Sequence, residues 1–128
     1  MIFLLDTHLL LWAAGEPKKL SVKARKLLND SANVLMFSPV SLWEIVIKRG
    51  LERADFRVDP RRLRRGLLEH GYVELGISSE HVIAVDRLPP LHKDPFDRLL
   101  LAQAEVEGCT LLTADKILAV YPANVRKV

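Results

Sequence analysis

The sequence predicts an α/β protein in which a parallel sheet is covered by helices on both faces. Short apolar runs recur along the chain, and most are followed by residues that commonly begin a helix. Strands that alternate with helices usually pair in parallel, and crossovers of one hand place the carboxyl ends of all strands along one edge. Because no repeat, low-complexity tract or linker divides the chain, we expect one domain over residues 1–128.

Capping residues and prolines predict the helix starts in the first half of the chain. Ser21 is a suitable N-cap, and Ser38 followed by Pro39 supplies a cap and a first-turn proline. Gly15 and Gly50 follow the helical patterns and would end them. The predicted elements are, in order, a strand over residues 2–5, helices over 7–14 and 22–29, a strand over 34–37 and a helix over 39–49.

The second half of the chain repeats these signals. Asp59 with Pro60 predicts a basic helix that ends near Gly71, and Asp94 with Pro95 predicts another helix. Between them we expect a strand over residues 72–77 and a short helix over 79–85. The last predicted elements are a strand over 110–112, a short helix just after it and a fifth strand over 125–128.

The composition is typical of a globular protein, and its charge suits a polyanionic partner if the five acids discussed below form a metal cluster. Of 128 residues, 49% are hydrophobic and 27% charged, and the net charge is +3. Without the five acids discussed below, 19 basic residues would face 11 acidic ones, a surface charge of about +8. The single cysteine, Cys109, suggests a packing role and a reducing, cytoplasmic location. Asp6 interrupts the apolar N-terminus, which lacks the basic residues of a signal peptide, and no run is long enough for a membrane span.

Five acidic side chains lie at or near the predicted junctions between strands and helices. Asp6 and Asp115 follow apolar strands, whereas Asp94 and Asp97 lie at a helix start. Glu44 lies within an apolar stretch, where a charge is costly unless it meets solvent or a cation. Because these junctions share one sheet edge, the carboxylates would meet there, and like charges at close range need a counter-ion. The sequence therefore predicts a divalent-metal site.

Each of these acids also has a purely structural interpretation. Glu44 could pair with Lys48 one helical turn later, or complete a capping box with Ser41. The others could cap a helix or lie in its first turn, namely Asp6, Asp94, Asp97 and Asp115. We favour the cluster, because capping itself gathers acids at the sheet edge where helix N-termini meet.

The type of ligand indicates Mg²⁺ or Mn²⁺, since carboxylates suit hard cations and the chain has neither a CxxC nor an HxxxH spacing for zinc. His8 and His92 lie near two of the acids and are more often hydrogen-bond partners than ligands. The hydroxyls of Thr7 and Thr113 could orient the adjacent carboxylates. Sites of this kind typically activate water for attack on a phosphodiester.

A basic stretch separates the second and third predicted strands. It surrounds a helix on which three leucines would face inward, Leu63, Leu67 and Leu68. It is either a solvated helix face or a surface that contacts phosphates or a partner. Trp12 and Trp43 fit core or interface positions, and no dinucleotide or P-loop motif is present. The arginines are Arg57, Arg61, Arg62, Arg64 and Arg65.

Four blocks of the sequence resemble those of PIN-domain proteins, and together those of the VapC-type toxins of bacterial and archaeal toxin–antitoxin modules. They cover residues 6–12 (DTHLLLW), 38–45 (SPVSLWEI), 88–104, which contains DPFDRLLLAQA, and 111–115 (LLTAD). The resemblance runs over nearly the whole chain and is weakest between Leu51 and Arg65.

The resemblance implies a three-layer α/β/α sandwich with a central, mostly parallel sheet of four to five strands. It further implies a Mg²⁺- or Mn²⁺-dependent endoribonuclease, a homodimer and inhibition by a small cognate antitoxin. By position, the catalytic and metal-binding set of the family falls on Asp6, Glu44, Asp97 and Asp115. Asp94 belongs to the same signature, as a ligand, a partner of a ligand or a helix cap.

We therefore predict a metal-dependent endoribonuclease toxin that hydrolyses RNA phosphodiester bonds. The alternative is a non-catalytic PIN-like module that binds RNA or protein through the arginine-rich helix. A phosphatase with Asp6 as its nucleophile is disfavoured, because His8 occupies the position at which such enzymes usually carry a second acid.

Overall fold

A five-stranded, all-parallel sheet forms the centre of the computed structural model, which describes residues 1–128. The strand order is β3-β2-β1-β4-β5, and every neighbouring pair is parallel. This confirms the predicted α/β class, with five strands and no antiparallel pair. The strands are β1 (Ile2–Leu5), β2 (Val34–Phe37), β3 (Val73–Glu74), β4 (Thr110–Thr113) and β5 (Val125–Lys127).

Six α-helices connect and cover the strands. All six begin at a side-chain cap, and in three of them the capping residue is followed by proline, as the sequence predicts. Gly108 ends the longest helix in a left-handed conformation (φ 68°), which turns the chain directly into β4. The helices are α1 (Thr7–Gly15), α2 (Val22–Asn29), α3 (Pro39–Gly50), α4 (Pro60–Glu69), α5 (Ser79–Ala84) and α6 (Pro95–Glu107).

Two apolar cores lie on the two faces of the sheet, and the central strand β1 contributes to both. Phe3 and Leu5 belong to a core that includes Leu63 of α4, whereas Leu4 packs in the core that includes Leu100 of α6. All three β1 residues are fully buried. A strand buried on both faces has no polar side, which explains why it is a continuous apolar run instead of an alternating one.

The structure differs from the predictions at three places. The third strand covers only two residues, because β3 lies at the sheet edge and pairs only with β2. The helix expected after β4 is a single 3₁₀ turn (Leu118–Val120), preceded by a turn in which Asp115 accepts a hydrogen bond from the Ile117 N–H. Leu68 is 41% exposed, since Leu63 and Leu67, one helical turn apart, define the buried face of α4.

Cys109 is buried, as its predicted packing role requires. None of the helices is both long and apolar enough to cross a lipid bilayer.

Candidate metal centre

The edge of the sheet formed by the carboxyl ends of the strands gathers all five acids selected from the sequence. Asp6 follows β1, Asp115 follows β4, and Glu44 reaches the same edge from α3. Asp94 and Asp97 lie at the N-terminus of α6. The charges of the other four carboxylates each raise the pKa of Asp97, which places them all within electrostatic range of one group.

Asp6 is at once a helix cap and a member of the cluster. Its Oδ1 accepts a hydrogen bond from the Leu9 N–H at 2.9 Å, and its Oδ2 accepts one from the Thr113 hydroxyl at 2.5 Å. Only 4% of the residue is exposed, and this burial raises the pKa of Asp6 to about 6 although both hydrogen bonds oppose the shift. Asp6 therefore caps α1 and also lies among the carboxylates of the cluster.

Glu44 is buried and both of its carboxylate oxygens have partners. Oε1 accepts a hydrogen bond from the Thr7 hydroxyl at 2.6 Å, and Oε2 lies 2.5 Å from the Lys48 Nζ. The ion pair with Lys48 is thus the one expected from the sequence, whereas a capping box with Ser41 is not formed because Ser38 caps α3. This pairing neutralises a charge that would otherwise be buried alone.

Each of the two threonines donates to a carboxylate on a different element instead of to its neighbour in the sequence. We expected each to act on its sequence neighbour. Thr7, which follows Asp6, donates to Glu44, and Thr113 on β4 donates to Asp6 on the adjacent strand. Thr113 also accepts a hydrogen bond from the backbone N–H of Asp115, so it joins two of the acids.

His92 connects two other carboxylates. Its Nε2 lies 3.1 Å from Asp97 Oδ2 and 3.3 Å from Asp115 Oδ2, and one ligand atom from each of these three residues lies within 4.8 Å of the others. Its Nδ1 accepts a hydrogen bond from the Asp94 N–H, so Nε2 carries the proton and donates to Asp115, while Asp97 lies within ion-pair distance. This geometry fits the hydrogen-bonding role expected for His92, while the other histidine, His8, faces Asp55 at 3.4 Å.

Asp94 caps α6 and faces the cluster at the same time. Its Oδ1 accepts hydrogen bonds from the N–H groups of Phe96 and Asp97, and its Oδ2 lies 3.8 Å from the Lys48 Nζ. It therefore fulfils the cap interpretation.

The negative charges of the cluster raise the pKa of one of its own carboxylates. Burial, followed by the charges of Asp94, Glu44, Asp6 and Asp115, raises the pKa of Asp97 to about 8. A carboxyl group with such a pKa keeps its proton at neutral pH unless a further positive charge is supplied. Oxygen donors with unrelieved negative charge are the ligand set that Mg²⁺ and Mn²⁺ prefer, so the residues present fit a hard divalent cation.

The sequence did not predict all the contacts that Lys48 and Tyr121 make in the site. Lys48 was considered only as a partner of Glu44, yet its ammonium also approaches Asp94 and two aromatic rings. Tyr121 accepts a hydrogen bond at its hydroxyl oxygen from the His92 N–H at 2.7 Å and so holds the histidine loop. No sequence signal identifies Tyr121, because it lies 29 positions from its partner in an irregular segment.

The basic stretch is separate from the acidic cluster. Arg64 of α4 forms a two-pronged ion pair with Glu74, with both N···O distances at 3.0 Å, whereas Arg61 and Arg65 are exposed and form no ion pair. A groove of about 720 Å³ between α1, α2 and α4 includes Arg57 and Arg62 among its lining residues, and none of the five acids lines it. The chain thus presents an acidic site and a separate basic surface.

The amino-acid sequence is similar to those of proteins of one known family. The pattern of the PIN domain family matches residues 3–124. Ribonuclease VapC22 of Mycobacterium tuberculosis is 30% identical over 114 residues, which cover 88% of this chain and 86% of that protein. The chain belongs to the PIN-domain family, and the resemblance to VapC-type proteins found in the sequence is confirmed.

Solved structures share the fold at lower sequence identity. VapBC2 from Rickettsia felis, bound to a DNA fragment from its promoter, superimposes with a TM-score of 0.74 at 18% identity, over 100% of this chain and 99% of that one. The DNA-bound VapBC from Salmonella typhimurium gives a TM-score of 0.64 at 16% identity, over 99% and 98% of the two chains. At such identities the likeness concerns the fold alone.

Proposed function

We propose that this chain is a VapC-type endoribonuclease, a single nuclease domain that hydrolyses RNA phosphodiester bonds with the help of Mg²⁺ or Mn²⁺. The observation that supports it best is the convergence of four carboxylates on a fifth, Asp97, at one edge of a PIN-domain sheet. The relative that is 30% identical is itself named a ribonuclease.

Asp6, Asp97 and Asp115 are the residues that would hold the metal ion. When bound, such an ion lowers the pKa of a water molecule and stabilises the leaving oxygen of a phosphodiester. Around it, Thr113 fixes the Asp6 carboxylate, and His92 donates to Asp115 and lies beside Asp97. Glu44, the fourth carboxylate of the family set, would complete the site as a ligand or by orienting the attacking water.

We further propose that a small antitoxin inhibits the enzyme and that the chain forms a homodimer. The similar solved structures are VapBC assemblies, which supports the first of these points. Three apolar side chains on consecutive turns of α3 are exposed, Trp43 (54%), Val46 (53%) and Ile47 (38%), and support a protein partner on that helix.

The direct test is cleavage of a mixed-sequence single-stranded RNA by the purified protein with Mg²⁺, with Mn²⁺ and with EDTA. Asp6→Asn is the diagnostic variant because it preserves the size and capping ability of the side chain but removes its charge. Asp86→Asn, at an exposed aspartate away from the site, is the matched control. We expect cleavage only with metal, retained by Asp86→Asn and reduced at least a hundredfold by Asp6→Asn. Equal cleavage by wild type and Asp6→Asn, or cleavage that survives EDTA, contradicts the proposal.

The unpaired arginines of α4 support a second candidate function, a PIN-like module that binds RNA or protein without cleaving it. Arg61 and Arg65 are free to contact phosphates, since neither forms an ion pair within the chain. Tight RNA binding without turnover in any divalent metal would favour this alternative.

A further inference from the structure

Lys48 brings a positive charge of the chain itself into the acidic cluster. Its Nζ lies 2.5 Å from Glu44 Oε2 and 3.8 Å from Asp94 Oδ2, and only 18% of its side chain is exposed. The same atom lies 4.8 Å from the centre of the Phe56 ring and 5.8 Å from that of Phe96. Two carboxylates and two aromatic rings, all of which attract cations, therefore surround one ammonium group.

This ammonium group cannot leave its position at low cost. Glu44 is 2% exposed, and removal of its cation would leave a buried carboxylate with only the Thr7 hydroxyl as a partner. Phe56 is fully buried and fixes one side of the lysine side chain. We therefore expect Lys48 to keep its contacts when the neighbouring carboxylates bind a metal ion.

No lysine or arginine forms an ion pair with the acids on the other side of the cluster. Asp97 and Asp115 face His92, and Asp6 is held by the Thr113 hydroxyl and a backbone N–H. Two-metal sites hold their ions roughly 3.5–4 Å apart. With Asp6, Asp97 and Asp115 committed to the first ion, the carboxylates left for a second are Glu44 and Asp94. Both already face the ammonium group of Lys48, which would repel another cation.

We infer that Lys48 takes the place of a second metal ion, so that the site binds one divalent cation on its Asp6, Asp97 and Asp115 side. Lys48 is then a positioning residue that keeps Glu44 fixed beside the metal. The inference rests on the proposed metal site, and it concerns the number of ions bound, which can be measured without RNA.

The experiment is a titration of the metal-free protein with MnCl₂, followed by calorimetry and by the electron paramagnetic resonance signal of free Mn²⁺. Lys48→Met removes the charge but keeps an unbranched apolar side chain between the two rings. Lys48→Arg keeps the charge, and Lys93→Met removes a charge from an exposed lysine near the site as the matched control. Circular dichroism confirms folding, and Lys48→Gln replaces Lys48→Met if the latter does not fold.

We expect one tightly bound Mn²⁺ per chain for the wild type, Lys48→Arg and Lys93→Met. Lys48→Met should bind two, the second at least tenfold more tightly than any second ion on the wild type. The inference is overturned if the wild type binds two Mn²⁺ ions tightly, or if Lys48→Met binds a single ion with unchanged affinity. The nuclease proposal stands in either case. One ion without RNA cleavage leaves the role of Lys48 standing and refutes the nuclease, and no Mn²⁺ binding at all refutes both.

Discussion

Removal of one carboxylate from the cluster should make the metal-free protein more stable. In the folded chain, burial and then the charges of Asp94, Glu44, Asp6 and Asp115 raise the pKa of Asp97 from 3.8 to about 8. Because the folded-state pKa is the higher one, the stability that Asp97 contributes is complete below about pH 4 and is lost as the pH rises toward 8. Asp97→Asn removes this loss, since an amide of nearly the same size does not ionise.

The size of the effect follows from the pKa shift. At pH 7 the solution is roughly three pH units above the unfolded-state pKa, and each unit corresponds to about 1.4 kcal/mol, which gives an upper limit of about 4 kcal/mol. Solvent access to the site lowers this, so we expect Asp97→Asn to raise the free energy of unfolding by about 2–4 kcal/mol at pH 7. At pH 5 the gain should fall to about 1 kcal/mol, because the pH is then only about one unit above the unfolded-state pKa of Asp97.

The assay is urea denaturation in EDTA at pH 5 and pH 7, followed by circular dichroism. The wild type, Asp97→Asn and the exposed control Asp86→Asn are compared. The raised pKa of Asp6 affects the stability of the wild type and of Asp97→Asn alike, so it cancels in the difference between their free energies of unfolding. Addition of Mg²⁺ should stabilise the wild type more than Asp97→Asn. The electrostatic account fails if Asp97→Asn is no more stable than the wild type at pH 7, or if its advantage is the same at pH 5.

Two further predictions concern side chains of the acidic cluster, and a third concerns the basic surface of α4. Thr113→Val removes the hydroxyl that lowers the pKa of Asp6, so that pKa should rise further and Mn²⁺ affinity at pH 6 should fall about tenfold, as calorimetry would show. Asp94→Ala should be about 1 kcal/mol less stable than Asp94→Asn, because both variants lose the charge but only alanine loses the α6 cap, and equal stabilities in thermal denaturation would exclude the cap. Arg61→Ala with Arg65→Ala should weaken single-stranded RNA binding and reduce its salt slope by about 0.7 per lost phosphate contact, and an unchanged slope in fluorescence titrations would exclude the α4 surface.

Local sequence signals were sufficient for most of the fold. The first two strands have the predicted bounds, and the helix starts at Pro39, Pro60 and Pro95 follow from a capping residue and a proline. These features depend on neighbouring residues, which the sequence shows directly. The third strand is shorter than predicted because its length depends on pairing with β2 alone, which is a property of the sheet.

The sequence by itself determined which acids would meet, because a parallel sheet sends Asp6, Asp115 and the helix start at Asp94 to one edge. Only the tertiary structure decided the partner of each acid. Thr113 reaches Asp6 over 107 positions, and the Lys48 ammonium lies between Glu44 and Asp94. A hydrogen bond or an ion pair depends on distances of a few tenths of an ångström between side chains from different elements. Sequence spacing predicts the edge at which such groups gather, and packing decides which atoms come within reach.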